Sequence, residues 1–175
     1  MIRLALVYLL CCAPLVCVSK SITNANELLT IFRSGSQTII KEEITFENDI
    51  DFRNVSITLP LGVGTDGLSC TSYGGKLNGN GYAIKNLHLN RLNSSGYAAS
   101  GLFCALDGAT IENLVIDKSC SFAGVSAGAV GVGAFGSVTF QNVTNSASVS
   151  GPNSVGGLLG YVVNATVLVK SEMSR

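Results

Sequence analysis

The most tempting chemical motif in this 175-residue chain is a glycine pattern. Gly131, Gly133 and Gly136 form a literal G-x-G-x-x-G, which in dinucleotide-binding proteins follows a strand, opens a helix and precedes an acid by about 20 residues. Here the next residues, 138–143, have strand-like composition, and 148–159 contain no Asp or Glu. We therefore interpret these glycines as turns of a repeat and expect no nucleotide or other cofactor.

Asp49 and Asp51 are the second candidate, because residues two apart on a strand share one face. Paired carboxylates can bind calcium or serve as acid and base in sugar cleavage. The remaining acids of the central region are dispersed along the chain, at Asp107, Glu112 and Asp117. We interpret the pair as solvated residues on the outside of the fold and predict neither a metal site nor a catalytic one.

His88 is the only histidine, and it lies between two leucines. Alternation points it outward if the leucines point inward, and no Ser or Cys nucleophile has a recognisable elbow around it. We expect a surface histidine.

Sugar binding usually relies on aromatic faces, and there is no Trp. The alternative contact patch consists of tyrosines that flank a Gly-rich segment: Tyr73, Tyr82 and Tyr97.

Charge excludes one class of partner. The chain has 11 Lys+Arg and 11 Asp+Glu, so its net charge is zero, and it lacks the basic excess that nucleic-acid binding requires. Apolar residues make up 47% and charged residues 13%, a balance that implies a buried core or a membrane segment.

A repeat runs through the chain and decides the fold. An apolar residue, any residue, Asn and an aliphatic residue occur together at 52–55, 84–87, 111–114 and 140–143, and a copy without Asn follows at 167–170. Successive copies start 32, 27, 29 and 27 residues apart. Short β-favouring runs broken by Gly, Asn and Ser, with no amphipathic helix between them, predict an all-β parallel β-helix of about five coils. Asn tolerates the left-handed backbone of a bend, and stacked amides can bond to one another. The predicted ladder is Asn54, Asn86, Asn113 and Asn142.

The two ends of the repeat region differ. Within 20–37, Asn24 is a predicted N-cap with Glu27 three residues on. Ala25, Leu28, Leu29 and Phe32 would share one helical face, and Gly35 would end the helix. This short helix would cap the first coil of the β-helix domain, 38–175. The other end has no matching cap, so we expect it to self-associate or to continue into a longer protein.

Residues 1–19 match a secretory signal peptide. A basic start is followed by about 15 apolar or Cys residues, too few to cross a membrane of roughly 30 Å comfortably. We predict cleavage before Lys20, a secreted or surface location, and no transmembrane segment afterwards; an uncleaved N-terminal anchor is the alternative.

Export changes the cysteine count. Three remain, so at most one intramolecular disulfide forms. Cys70 and Cys104 fall at similar phases of the repeat and are the preferred pair; Cys104 with Cys120 is the runner-up. Sequons begin at Asn54, Asn93, Asn142 and Asn164. We favour glycosylation at Asn93 and Asn164, because the other two are candidates for inward-pointing ladder positions.

The segments 75–87, 101–103 and 156–161 resemble the GLUG-repeat family of surface proteins, in a likeness that extends roughly over 22–170. The resemblance implies right-handed β-helix modules, with coils of 27–32 residues here, in secreted or surface-attached proteins, many of them adhesin-like. This chain departs at Cys104, where the family commonly has Gly, and in the Asn missing from the fifth copy.

These observations favour a non-catalytic secreted or cell-surface β-helix with an adhesion or scaffold role. Its expected partner is an extracellular protein or glycan surface. Two alternatives remain: a small polysaccharide-acting enzyme on the same fold, and the N-terminal fragment of a larger adhesin-like protein with no independent role.

Overall fold

The computed structural model describes residues 19–33, 38–96 and 98–171. Short strands follow one another along the chain, with a single helix near the start of the described part. The elements are β1 (Lys20–Ile22), α1 (Ala25–Arg33), β2 (Ile39–Ile40), β3 (Ile44–Phe46), β4 (Ile50–Asp51), β5 (Ser72–Tyr73), β6 (Lys76–Asn78), β7 (Ala83–Lys85), β8 (His88–Asn90), β9 (Ala99–Ser100), β10 (Phe103–Asp107), β11 (Thr110–Glu112), β12 (Val115–Ile116), β13 (Ser121–Ala123), β14 (Ser126–Gly128), β15 (Gly131–Gln141), β16 (Thr144–Asn145), β17 (Ser148–Ser150), β18 (Val155–Gly156) and β19 (Leu159–Lys170).

The strands stack in parallel as a β-solenoid of about five turns, which confirms the predicted parallel β-helix. Three sides are separate sheets, ordered β4–β7–β12–β16, β8–β13–β17 and β9–β14–β18. The other two sides join because β15 and β19 are long enough to turn a corner. One half of β15 pairs with β10 and the other half with β11, while β19 pairs with β15 on both sides of the corner.

The stacking register differs from the spacing of the Asn motif. Ile111 lies over Leu77 and beneath Phe140, whereas Ile84 stacks between Ile50 and Ile116 on a neighbouring side. The motif at 84–87 therefore occupies a different corner from those at 111–114 and 140–143. The prediction of one equivalent position was wrong, because the coil that contains β6 and β7 has extra residues in the turn at 79–82.

The core is the lumen of the solenoid. One stack runs through Ile44, Leu77, Ile111 and Phe140, each at most 1% exposed. Since full burial of such side chains contributes roughly 1.5–3 kcal/mol each, these stacks stabilise the coils on one another. The corner inside β15 has a left-handed residue, Gly136, with a φ of 62°. At the same corner of β19 the register shifts, so that Gly136 pairs with Ala165 and the left-handed residue is Asn164, with a φ of 48°.

Helix α1 closes the N-terminal end of the lumen, as predicted, and a strand is added to the predicted cap. Asn24 Oδ1 accepts the Glu27 N–H at 3.1 Å, and the Glu27 carboxylate accepts the Thr23 N–H at 2.7 Å, which is a reciprocal capping arrangement. The ring centroid of Phe32 in α1 lies 5.8 Å from the ring centroid of Tyr73 and 5.4 Å from that of Phe103. The addition is β1, a strand within the predicted cap that pairs with β3. Gly35, the predicted helix end, lies outside the described residues.

A disulfide ties a long loop to the third coil. Cys70 and Cys104 are bonded, with their Cα atoms 6.0 Å apart, and Leu61 of the same loop accepts the Cys104 N–H at 2.9 Å. Cys120 is a free, buried thiol. The bonded pair is the one that the repeat phase favoured.

The opposite end of the lumen is bare. Across the described residues, β19 pairs only with β15, and no element covers its other edge. Its large apolar side chains are correspondingly exposed: Val162 by 49%, Val163 by 44%, Leu168 by 46% and Val169 by 62%.

Candidate functional site: a polar groove beside the first coil

The glycine motif is part of the scaffold. Gly131, Gly133 and Gly136 all lie in β15, between β10 and β19. A Cβ at position 133 would lie 2.6 Å from the Tyr161 ring. Glycine is therefore needed at this position so that the Tyr161 side chain can pack against the strand. No helix follows this strand within the described residues, and the glycines offer no phosphate-binding turn.

Asp49 has both carboxylate oxygens occupied on the outside of the β4–β7 sheet. Its Oδ2 lies 2.5 Å from Lys85 Nζ, and its Oδ1 accepts the Ala83 N–H at 2.9 Å. The hydrogen bond from Lys85 is the main cause that holds the pKa of Asp49 below its ordinary value. A carboxyl group that stays ionised in this way is poorly suited to act as a general acid.

Asp51 serves the turn that follows β4. Its Oδ1 accepts the Arg53 N–H at 2.8 Å and Asn86 Nδ2 at 2.8 Å, and the bond from Asn86 is the first cause that lowers the Asp51 pKa. The two aspartates therefore position backbone and neighbouring coils. No group of three or more His, Cys, Asp or Glu side chains within the described ranges could hold a metal ion.

His88 is exposed on β8, as alternation predicted, since Leu87 and Leu89 are each 1% exposed. Its Nδ1 lies 2.9 Å from Ser121 Oγ on the next coil. A nucleophile–base pair needs a third group that orients the base, and in the part of the chain that the structure describes no carboxylate bonds to the other ring nitrogen. The contact links two coils and presents the imidazole edge to solvent.

A groove with a cavity volume of about 530 Å³ lies beside His88. One wall is Phe52–Ile57, and the other is Asn86–His88. It exists because the chain after β4 does not form a strand beneath β8, although β13 and β17 continue that sheet above it. The polar lining comprises Arg53, Asn54, Ser56, Asn86 and His88, and the apolar lining includes Val55, Ile57 and Leu87.

The backbone of β8 adds polar groups to this groove. Leu87 C=O accepts the Ser121 N–H at 2.9 Å, and the Arg91 N–H donates to Ala123 C=O at 2.6 Å. Because peptide groups alternate in direction along a parallel strand, those of His88 and Asn90 face the groove side. The groove therefore offers amide, hydroxyl, imidazole and guanidinium groups over a small apolar floor.

Tyr73, one member of the predicted tyrosine patch, is not on the surface. Tyr73 is fully buried, its ring stacks 5.1 Å from Phe103, and its hydroxyl donates to Glu42 C=O at 2.9 Å. Burial raises the pKa of its phenol far above the ordinary value. Tyr82 is half-buried, and the side chain of Tyr97 lies outside the described residues. Tyr73 is thus a core residue, and the prediction that it belongs to a surface contact patch was wrong.

The asparagine ladder exists with one different member. Asn142 Nδ2 donates to Asn113 Oδ1, and Asn113 Nδ2 donates to Asn78 Oδ1, both at 3.2 Å. Asn86 shares the left-handed backbone, with a φ of 55°, but bonds to Asp51 in the groove wall. Asn54 is exposed and has no positive φ. Asn78 was missed because it directly follows Leu77 and pairs in register with Glu112, so it lacks the spacing of the Asn motif.

The sequons also separate by position. Asn93 and Asn164 are exposed, and so is Asn54, which corrects the expectation that it points inward. Asn142 is half-buried and donates its amide to the ladder. Exposure therefore distinguishes three of these side chains from the fourth.

Among the described residues, no helix has the length and apolar character to cross a membrane.

Comparison with known proteins finds a partial similarity. A stretch of 102 residues, 58% of this chain, is 37% identical to Halomucin of Haloquadratum walsbyi (strain DSM 16790 / HBSQ001). That stretch is 1% of the length of Halomucin, so the chain spans a very small part of this relative. No family model matches the chain, and no solved structure matches it. The resemblance to GLUG repeats accordingly stays a prediction.

Proposed function

We propose that this protein is a non-catalytic, secreted or cell-surface β-solenoid that binds an extracellular glycan or protein through the groove beside β8. The observation that carries the proposal is the groove itself. It is the place where a missing strand leaves both side-chain and backbone polar groups of the solenoid open to a ligand.

The chemistry of the groove suits a polar, extended ligand. Hydroxyl-rich sugars bind to amide, hydroxyl and guanidinium groups, and an extended peptide could pair with the exposed peptide groups of β8. Arg53 is exposed at the groove wall and lies 3.7 Å from Asp51. A carboxylated sugar could compete with Asp51 for this guanidinium, which favours acidic glycans among the possible ligands.

The surface location has its own support. A secretory signal is predicted at 1–19, and the similarity to Halomucin is compatible with an extracellular protein. The great length of this relative also supports a variant of the proposal, in which the solenoid is one module of a longer adhesin-like protein.

Binding to immobilised neutral and carboxylated glycans, with product analysis on the same samples, tests this function. We expect binding without cleavage, and a loss of at least about fivefold in affinity, roughly 1 kcal/mol, for Arg53→Ala. Arg33→Ala, which removes an exposed arginine at the end of α1, is the matched control. Equal binding by both variants would overturn the groove as the site, and released sugar fragments would favour the enzyme alternative.

A further inference from the structure

We propose that Asp51 is the specificity-determining residue of the groove beside β8. It restrains the Arg53 side chain by charge alone, so that the carboxylate of an acidic sugar, but not a neutral ester of the same sugar, replaces it at the guanidinium. This inference rests on the function proposed above and names the ligand class of the same site, carboxylated glycans.

The groove is fixed by the length of the first coil. Two stacks mark where the path past β8 and β9 begins and ends in each coil: Ile50, Ile84, Ile116 and Asn145, and then Leu61, Phe103, Gly131 and Leu159. The path takes 11 positions in the first coil, and 19, 15 and 14 in the following ones. Because a chain of given length has a limited reach, the first coil takes a shorter route and leaves the space beneath β8 open.

Charge is the feature of this groove that can distinguish one sugar from another. The aromatic residue of its lining, Phe52, is only 3% exposed, so no aromatic face is available to a sugar ring. The amide and hydroxyl groups of Asn54 and Ser56 can bond to the hydroxyls of any sugar. Arg53 supplies the only Lys, Arg, Asp or Glu side chain among the lining residues, and that side chain is 73% exposed.

The Arg53 guanidinium has charge compensation without hydrogen bonds. Its closest approach to Asp51 is 3.7 Å, from Nη2 to Oδ2, which is longer than a hydrogen bond. Among the described residues the guanidinium makes no hydrogen bond. An exposed ion pair of this kind contributes little, whereas a ligand carboxylate can accept two parallel N–H bonds from the same guanidinium. A carboxylated sugar therefore offers Arg53 a better partner than Asp51 does.

Asp51 stays in place when Arg53 moves. Its Oδ1 accepts the Arg53 N–H and Asn86 Nδ2, both at 2.8 Å, so the carboxylate is tied to the turn and to the neighbouring coil. A sugar carboxylate bound to Arg53 consequently lies near a fixed like charge, which weakens its binding. A neutral sugar meets no such repulsion. Asp51 thus lowers the affinity of the groove for acidic sugars and leaves its affinity for neutral ones unchanged.

Chemical-shift titration at pH 7 and low salt tests the inference, with trigalacturonic acid and its methyl ester as probes. The protein is the full-length gene product exported by a host that does not glycosylate asparagine, since Asn54 lines the groove. We expect wild type to bind the acid at least about fivefold more tightly than the ester. Arg53→Lys keeps the charge without the planar fork and should lose most of this preference.

Asp51→Asn keeps an oxygen for both hydrogen bonds and removes only the charge. It should bind the acid about threefold more tightly than wild type does and the ester equally well. Asp66→Asn is the matched control, because it removes one negative charge from a residue that does not line the groove, and it should change neither affinity. The spectra of the same samples show whether each variant is folded.

The outcomes separate this inference from the function on which it rests. Equal binding of the acid and the ester by wild type would leave the groove as a glycan site and overturn its selectivity for carboxylates. An unchanged ratio of the two affinities in Asp51→Asn would overturn the role of Asp51. A triglutamate peptide that binds as tightly as the acid would overturn the assignment to glycans. Binding of none of these probes would overturn the proposed function and this inference together.

Discussion

Asn113 lies between two asparagines of neighbouring coils and bonds to both. Its Nδ2 donates to Asn78 Oδ1, and its Oδ1 accepts Asn142 Nδ2, each at 3.2 Å. Its backbone has a φ of 50°, which non-glycine residues other than Asn and Asp adopt at a cost of about 1–2 kcal/mol. One residue type thus satisfies the bend and links three coils at once.

Asn113→Ala should therefore lower the free energy of unfolding by about 2–4 kcal/mol, through loss of the ladder bonds and through strain at the left-handed bend. Asn113→Gly should recover roughly half of this loss, because glycine removes only the strain. Chemical denaturation of the three proteins measures both effects. Asn54→Ala, outside the ladder, is the control and should change stability by less than about 0.5 kcal/mol; an equal loss there would contradict the role given to the ladder.

Acid should weaken the link between the first two coils. The pKa of Asp49 is lowered from its ordinary 3.8, so the stability it contributes is complete above the unfolded value and is lost as pH falls through the lower folded value. The pKa of Lys85 is raised, so its contribution is complete below the unfolded value near 10.5 and is lost as pH rises through the folded one. The pair consequently stabilises the protein between about pH 4 and pH 10.

Melting temperatures of wild type and Asp49→Asn, measured from pH 7 down to pH 2, check this assignment. Asn keeps an oxygen for the Ala83 N–H and loses only the charge, so the variant should melt at a lower temperature near neutral pH. The difference should disappear at the acid end. A gap that stays constant across the range would show that the effect is packing and not ionisation.

The sequence predicts the fold of this molecule better than it predicts the register of its coils. Lumen residues such as Ile111 and Phe140 have strand-like neighbours and a regular 29-residue step, so the solenoid followed from composition and spacing. The stacking register did not follow from the sequence, because the motif at 84–87 is identical in type to the one at 111–114 and yet occupies another corner. An insertion at 79–82 makes equal sequence intervals correspond to unequal paths around the coil.

The groove was beyond sequence reasoning for a related reason. It results from the absence of a strand beneath β8, and residues 52–57 contain the same apolar and polar alternation as segments that do form strands. Tyr73 shows the converse error: a tyrosine beside a glycine-rich loop is typical of a surface, yet stacking on Phe103 and a bond to Glu42 place it in the core. Both depend on contacts between residues at least 30 positions apart along the chain.

Glycosylation should follow exposure where a eukaryotic or archaeal host modifies sequons. We expect glycans on Asn93 and Asn164, and also on Asn54, which the structure exposes. Asn142 should stay unmodified, because its amide nitrogen is committed to the ladder bond. Site-resolved mass spectrometry of the exported protein measures all four. A glycan on Asn142 of the folded protein would contradict the ladder. A glycan that is added to Asn142 only in unfolded chains should appear together with lower secretion of the protein.

Reduction should destabilise the protein by about 3–4 kcal/mol, because the Cys70–Cys104 bond closes a loop with a sequence separation of 34 and restricts the unfolded chain. Cys104→Ser should reproduce this loss without reductant. Cys120→Ala is the control: its thiol is buried and forms no disulfide, so the change should cost much less and should not alter the response to reductant. Thiol titration adds an independent readout, since burial raises the pKa of Cys120 and its thiol should react only after denaturant is added. Two thiols reacting in the folded protein, or no loss of stability on reduction, would show that the bond does not form or does not restrain the loop between β4 and β5.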